Sequence, residues 1–327
     1  MTTPTIAALK TRYPEAKIDF GVGSWSRAVL ENNPHLHDLI DTGTVGQGAY
    51  SLKDVWALVQ TLRAQRYDLS VCLVRSPSIG LLPWLAGIPH RIGLDSYGRG
   101  FAHTVRVPVP VEPKHEALVY LACAEATGLS ILDGDKSLFW PQFFPQESDR
   151  TVLQSLSASF VVLHPSGGVN PGMQMLDKRW PVDRFAWLSD RLAEQGLQIV
   201  LSGVESDIPL CQMIAQQMTS NEPLIVAGTL SLSQFGAMCQ RATLFVGGDT
   251  GAMHLATACG CPVVAIFGPS DPRRYAAFGP PDRVQSVWRP FDIPTGGVGQ
   301  GAVTNFSWEH GISRAEVWEA CQRLLSL

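Results

Sequence analysis

Residues 244–272 read LFVGGDTGAMHLATACGCPVVAIFGPSDP. Leu244, Phe245 and Val246 make a short apolar run that stops at Gly247-Gly248. Ala252, Leu255, Ala256 and Cys259 then recur at helical spacing until Gly260 ends the pattern. Val263–Phe267 is a second apolar run, and Gly268-Pro269-Ser270-Asp271-Pro272 a second turn. Strand, turn, helix and strand in so short a span are the building unit of a parallel sheet with helical crossovers.

The first turn, Asp249-Thr250-Gly251, carries the chemistry. N–H groups at a helix start lack intrahelical partners and bear the positive end of the macrodipole, so a diphosphate there gains roughly 0.3–1 kcal/mol or more. Gly251 would let a ligand approach the backbone, Thr250 would add a hydroxyl donor, and His254 lies one turn in on the same face. An isolated D-T-G fits equally well a plain buried strand–turn–helix, with Asp249 or Thr250 as N-cap and His254 as a core histidine.

The same alternation extends outward in both directions. In the first half, strands are expected near Lys17–Val22, His37–Ile40, Asp68–Val74 and Arg91–Leu94. Helices are expected near Thr5–Arg12, Ser24–Asn32, Leu52–Gln65, Ser78–Leu85 and His115–Thr127. Residues 129–157, which carry prolines and acidic residues and no sustained periodicity, read as a linker between a first domain, 1–128, and a second, 158–327. The second domain restarts with Phe160–His164, followed by the loop Ser166–Gly172 and a helix over Val182–Gln195. Strands near Gln198–Leu201, Leu224–Val226, Leu244–Val246 and Val263–Phe267 alternate with helices near Asp207–Met218, Ser233–Arg241 and Ala252–Cys259. Ser313-Arg314-Ala315-Glu316 has capping-box spacing and opens a last helix. The fold class is therefore α/β, with two doubly wound, Rossmann-like domains facing a cleft.

Composition excludes several functions. The chain has 327 residues, 45% of them hydrophobic and 17% charged, which suits two globular cores. A net charge of −4 gives no electrostatic basis for nucleic-acid binding, although Lys178-Arg179 and Arg273-Arg274 are local basic spots suited to a small anion. Seven cysteines with no C-x-x-C pair read as reduced core residues of a cytoplasmic protein. Cys259-Gly260-Cys261 has only His254 nearby, so no metal site is expected. No apolar run approaches the roughly 18 residues of a membrane span, and no signal segment opens the chain. The dinucleotide fingerprint G-x-G-x-x-G is absent, as is any Gly-Lys pair that would begin a triphosphate-binding loop.

Asp249-Thr250-Gly251-x-x-His254 followed by Gly260-x-Pro262-Val263-Val264-Ala265-Ile266-Phe267-Gly268-Pro269-Ser270-Asp271-Pro272 resembles the signature of the bacterial lipopolysaccharide heptosyltransferases. The resemblance extends upstream through Lys178-Arg179-Trp180-Pro181 and Phe185. It implies the glycosyltransferase B fold and inverting transfer of a heptose or related sugar from an ADP-sugar, ADP-heptose foremost, to a lipopolysaccharide-core or other glycan acceptor. It also implies work without a metal or cofactor, in the cytoplasm, with peripheral contact at the inner membrane.

A diphosphate leaving group handled without a metal needs cations and N–H dipoles. Lys178, just after a glycine-rich loop that follows a strand, matches the lysine of the family's K-R-W-P motif and is the expected cation. Ser166, Gly167 and Gly168 would offer hydroxyl and backbone donors to the same diphosphate, while Asn170 and Gly172 shape the loop. Glu205 matches a family position that accepts hydrogen bonds from the nucleotide ribose, with a helix-start carboxylate near Asp207 as the equal alternative. Asp249 matches a family residue near donor sugar and phosphates; since a carboxylate repels phosphate, contact with sugar hydroxyls is its expected role. Catalytic roles fall to Lys178 and Asp249, and substrate binding to these with Ser166, Gly167, Gly168, Glu205, Thr250, Gly251 and His254. Acceptor contacts would come from Ser24-Trp25-Ser26-Arg27, Arg75-Ser76 and Arg99-Gly100, which fit ordinary surface equally well. Asp133-Gly134-Asp135 reads as a turn, and Gly296–Gly301 as a loop.

The chain opens with Thr2-Thr3-Pro4, which reads as a helix start. The resemblance implies an earlier strand and a Gly-Asp turn whose Asp is the general base, and neither is found in this sequence. The expectation is a first sheet lacking an inner strand because of a late start, with a nucleotide-sugar-binding homologue without turnover as the competing explanation. A nucleotide-sugar epimerase on the same architecture is the third reading.

Overall fold

The computed structural model describes residues 1–43, 45, 51–130, 140–149, 156–167, 169–170, 173–174, 176–290 and 306–326. Asp133-Gly134-Asp135, Gly168, Gly172 and Gly296–Gly301 lie outside them. The chain divides into two compact units, Met1–Pro141 and Gln142–Leu327.

In the first unit, helix α1 (Thr3–Arg12), with proline in its first turn, precedes β1 (Asp19–Val22). There follow α2 (Ser24–Arg27), β2 (Asp38–Asp41), α3 (Leu52–Ala64), β3 (Leu69–Cys72), α4 (Pro77–Leu85), β4 (His90–Asp95), β5 (Val105–Pro108) and α5 (Glu116–Glu125). The strands form two parallel sheets, β1-β2 and β3-β4-β5. No pairing joins β1 to β3 among the described residues. The residues of these strands are mostly half-buried, as strands with an open edge are. Helix α2 is shorter than expected: beyond Arg27 the chain continues in i→i+3 turns, Val29 N–H to Ser26 and Leu30 N–H to Arg27, before Asn32-Asn33-Pro34 ends the helical pattern.

The second unit holds β6 (Phe160–His164), a small antiparallel hairpin of β7 (Val169–Asn170) and β8 (Met173–Gln174), α6 (Val182–Ala193), β9 (Gln198–Leu201) and α7 (Ile208–Gln217). It continues with β10 (Leu224–Ile225), α8 (Leu232–Arg241), β11 (Leu244–Gly248), α9 (Gly251–Ala258), β12 (Val263–Ile266), α10 (Pro272–Tyr275), β13 (Val284–Val287) and α11 (Arg314–Leu325). Six parallel strands form one sheet in the order β10-β9-β6-β11-β12-β13. Every residue of β6, β11 and β12 is buried, as central parallel strands covered on both faces require. Helix α6 lays Phe185, Leu188 and Leu192 on the core, with Trp180 edge-on to Phe185 at 5.0 Å between centroids. Ser313 caps α11 through the capping box expected for it.

The structure departs from the sequence expectations in three places. The loop that starts at Ser166 enters the antiparallel pair β7-β8, whose strands are too short to leave an alternating pattern. Strands β5 and β13 are not expected, because VRVP and VQSV each offer only two strongly apolar residues. Part of the stretch read as a linker packs on the second unit: Phe143 is buried and donates its N–H to Ala258 O at 3.1 Å, and Gln146 N–H donates to Ser233 Oγ at 2.9 Å. Gly236 makes this packing possible, since a Cβ there would lie 2.3 Å from Phe143 Cε1. Gly236→Ala is therefore expected to destabilise the second unit by about 1–3 kcal/mol, as overpacking does. A chemical-denaturation midpoint equal to wild type would show that Phe143 does not occupy that space.

Candidate active site

Numbered from its own first strand, the second unit's sheet has the order 3-2-1-4-5-6, so the direction of winding reverses between β6 and β11. Loops leaving the carboxyl ends of two such neighbours diverge and open a crevice, the usual ligand position in an open α/β sheet. The loop after β6 carries Ser166 and Gly167; the turn after β11 carries Asp249 and Thr250. The segment after β9, on the other side of β6, carries Glu205.

Thr250 is the N-cap of α9: extended at φ −142°, ψ 164°, its hydroxyl oxygen accepts the Met253 N–H at 3.3 Å and keeps its own proton to donate. Gly251, the first helical residue, is exposed, and a Cβ on it would meet open space. His254 lies half-buried in the first turn, its N–H on Thr250 O at 3.4 Å. Gly167 sits against this helix start. Its φ of +145° favours glycine, and a Cβ would stand 2.8 Å from Thr250 Cγ2. Ser166 precedes it, half-buried.

Lys178 ends a 3-10 turn, Leu176–Lys178, and its Nζ donates to Asp249 Oδ2 at 2.7 Å. Both side chains are 13% exposed, so the pair is largely withdrawn from water yet still reachable. The lysine and aspartate singled out separately in the sequence are thus one charge pair beside the helix start. The Lys178 backbone is held on two sides. Its carbonyl lies 3.6 Å from where a Gly248 Cβ would be, and the preceding carbonyl, Asp177 O, accepts the Trp308 indole N–H at 2.9 Å. Trp308 is itself set by Phe306, edge-on at 4.9 Å, and by Gly268, where a Cβ would lie 2.7 Å from the indole. Trp180 Nε1 and Arg184 Nη1 both donate to Ile312 O, at 3.0 and 2.7 Å. None of this support from 306–312 is visible in the sequence, since the partners are more than 120 residues apart.

Glu205 is exposed and opens a 3-10 turn, Glu205–Asp207. Its Cα would lie 2.9 Å from a Cβ on Gly228, whose φ is +74°. Arg179, read as an anion-binding spot, instead donates to Gly167 O at 3.0 Å and to Asp207 at 3.2 Å. Arg273 is engaged by Asp271. In the first unit, Arg75 Nη2 reaches both carboxylate oxygens of buried Glu116, at 2.9 and 2.7 Å, and Arg27 donates to Leu39 O at 3.2 Å. Arg75 therefore serves the fold.

His164, at the end of β6, is buried with Nδ1 3.0 Å from Ser202 Oγ; burial pushes its pKa down to about 4, so it stays neutral near pH 7. The described cysteines are all free, and burial raises the thiol pKa of each, Cys259 and Cys261 included. Among the described residues, no group of three or more His, Cys, Asp or Glu is arranged to hold a metal ion. None of their helices is long and apolar enough to cross a membrane.

The model of glycosyltransferase family 9 (heptosyltransferase) matches residues 55–290, well over half of the chain and every site residue from Ser166 to His254. The chain belongs to this family. It is a glycosyltransferase by descent, and its motif at 249–272 falls on the helix start where the sheet reverses its winding. Lipopolysaccharide heptosyltransferase 2 of Escherichia coli strain K12 is 31% identical over 288 residues, which cover 83% of this chain and 80% of the relative. The solved structure of E. coli ADP-heptose lipopolysaccharide heptosyltransferase II matches with a TM-score of 0.75 at 26% identity, covering 99% of this chain and 94% of that one. A family 9 glycosyltransferase of Veillonella parvula matches at TM-score 0.82 and 23% identity, covering 99% and 93%, and shows the fold alone. The α/β, glycosyltransferase B class expected from the sequence is the class of these neighbours.

Proposed function

We propose that this family 9 member transfers a heptose or closely related sugar from an ADP-sugar to a lipopolysaccharide-core acceptor, with inversion at the anomeric carbon. The observation that carries the reading is the Lys178–Asp249 pair at the start of α9, beside Gly167. A diphosphate seated on the Gly251 end of the helix would meet amide dipoles and the Lys178 ammonium together. Lys178 then turns from Asp249 toward the phosphates, and Asp249, repelled by them, is left to accept hydrogen bonds from sugar hydroxyls. The acceptor oxygen bonds to the anomeric carbon as the bond to the β-phosphate oxygen breaks; ADP leaves with the electron pair, and the acceptor hydroxyl gives its proton to water. Ser166 and Thr250 hydroxyls and His254 add donors around the diphosphate, and Glu205 accepts from the ribose. In this scheme the leaving group is neutralised by Lys178 and backbone amides, with no metal or cofactor called for.

The choice of donor and acceptor is supported by the relatives: the E. coli protein is named for heptosyl transfer to lipopolysaccharide, and the solved E. coli structure for ADP-heptose. A cytoplasmic location with peripheral contact at the inner membrane follows from such an acceptor. The test is acceptor-dependent release of ADP from ADP-heptose, with lipopolysaccharide truncated in its core as acceptor. Sugar incorporation matching ADP release is expected; no incorporation, or an altered sugar formed without acceptor, would refute the reading.

Asp249→Ala separates the two halves of the donor. Without a carboxylate to hold the sugar hydroxyls in the transition state, kcat/KM for ADP-heptose should fall by about 100-fold. The ADP Kd, by calorimetry, should change by less than about threefold, since removing a carboxylate also removes repulsion. Equal losses in both would count against a hydrogen bond between Asp249 and the sugar.

A further inference from the structure

Arg179 connects two loops that share no backbone hydrogen bond among those of the described residues. Its Nε donates to the carbonyl of Gly167, in the loop after β6, and its NH2 group to Asp207 Oδ1, in the segment after β9. Asp207 is 1% exposed, and its second oxygen, Oδ2, accepts the Val204 N–H at 3.0 Å, which fixes the turn that presents Glu205. The turn has little other freedom. A Cβ on Gly203 would lie 2.7 Å from Asp207 Cβ, and Gly203 O accepts the Gly228 N–H at 3.0 Å. At its other end the bridge meets Gly167, packed on the Thr250 methyl at the helix start. Arg179 also follows Lys178 directly in the chain, so a single residue ties the lysine-bearing turn to both loops.

We propose that Arg179 is a positioning residue: its forked guanidinium sets the distance between the Gly167 loop, which faces the diphosphate, and the Glu205 turn, which faces the nucleoside. The inference rests on the donor reading given above. A guanidinium suits the task because its donors are fixed in one plane and reach two acceptors at once, whereas an ammonium is a point charge on a flexible stem. The buried Asp207 carboxylate is what keeps the guanidinium aimed, and the glycine carbonyl is what it aims.

Arg179→Lys tests this, because the charge beside Asp207 survives while the span to both acceptors is lost. Two readouts are expected to move together. Amide hydrogen exchange, measured without ligand, speeds up in 166–167 and 203–207 and stays as in wild type in β11 and β12. The ADP Kd rises at least about tenfold, the scale of one hydrogen bond to a charged group, while the Kd of adenosine, which spans only one of the loops, changes far less. Asp207→Asn approaches the bridge from its other end, keeps an acceptor for Val204 and is expected to give the same pattern, so the test survives if one variant folds poorly. A lowered melting temperature with ADP affinity unchanged would reduce Arg179 to a structural residue and overturn the proposal. So would exchange that is unchanged in both loops. Wild-type protein that binds no ADP would instead overturn the donor reading, and this inference with it.

Discussion

Lys178→Ala is expected to lower kcat/KM for the sugar donor by about 100-fold or more, the scale on which loss of one preorganised charge donor registers in a transition state. Two effects add. The developing charge on the departing β-phosphate loses its ammonium, and Asp249, whose side chain is 13% exposed and bonded to Lys178 at 2.7 Å, becomes an unpaired carboxylate facing that phosphate. The second effect makes a specific claim on the double variant. With both charges removed, Lys178→Ala/Asp249→Ala should bind ADP more tightly than Lys178→Ala alone, a coupling that a double-mutant cycle reads directly. Steady-state kinetics with ADP-heptose and calorimetry with ADP measure both. Unchanged kinetics in Lys178→Ala would reject the assigned role.

The second large effect concerns the first unit. Arg75→Ala should destabilise it by up to about 3 kcal/mol, because it removes a cation that contacts both oxygens of a buried carboxylate. Glu116 is 1% exposed at the first turn of α5, and Arg75 contacts both of its oxygens; the arginine itself is 28% exposed, which argues for the lower end of the usual range. Urea denaturation followed through a first-unit tryptophan such as Trp84 measures the change. A midpoint equal to wild type would show that water or another cation satisfies Glu116. Loss of transferase activity in this variant would then follow from unfolding, contrary to the acceptor-contact role that its position after β3 suggests.

The contrast between these two residues shows what could be read in advance. Residues 244–259 were legible because both periodicities are clean and short-range: three apolar residues for the strand, then a helical repeat opened by an N-cap threonine and closed by glycine. Lys178 and Asp249 were legible as separate residues through their motifs, but nothing in the spacing says that they meet, 71 positions apart. Arg179 and Arg75 look like ordinary surface arginines; their meaning comes from buried carboxylates, Asp207 and Glu116, that only the fold brings to them. Trp308 is a similar case, since its indole supports the carbonyl beside Lys178 from the far end of the chain. Strands β5 and β13 leave no clear mark in the sequence because short edge strands are specified by their neighbours more than by their own composition.

The central claim is that the start of α9 and the Lys178 ammonium together hold the diphosphate of the donor. A crystal structure of the chain with ADP tests it most directly. The account predicts phosphate oxygens within hydrogen-bonding distance, about 3 Å, of both the Gly251 amide and Lys178 Nζ, with the Lys178–Asp249 bond lengthened or broken. A diphosphate bound elsewhere, with that bond intact, would contradict it.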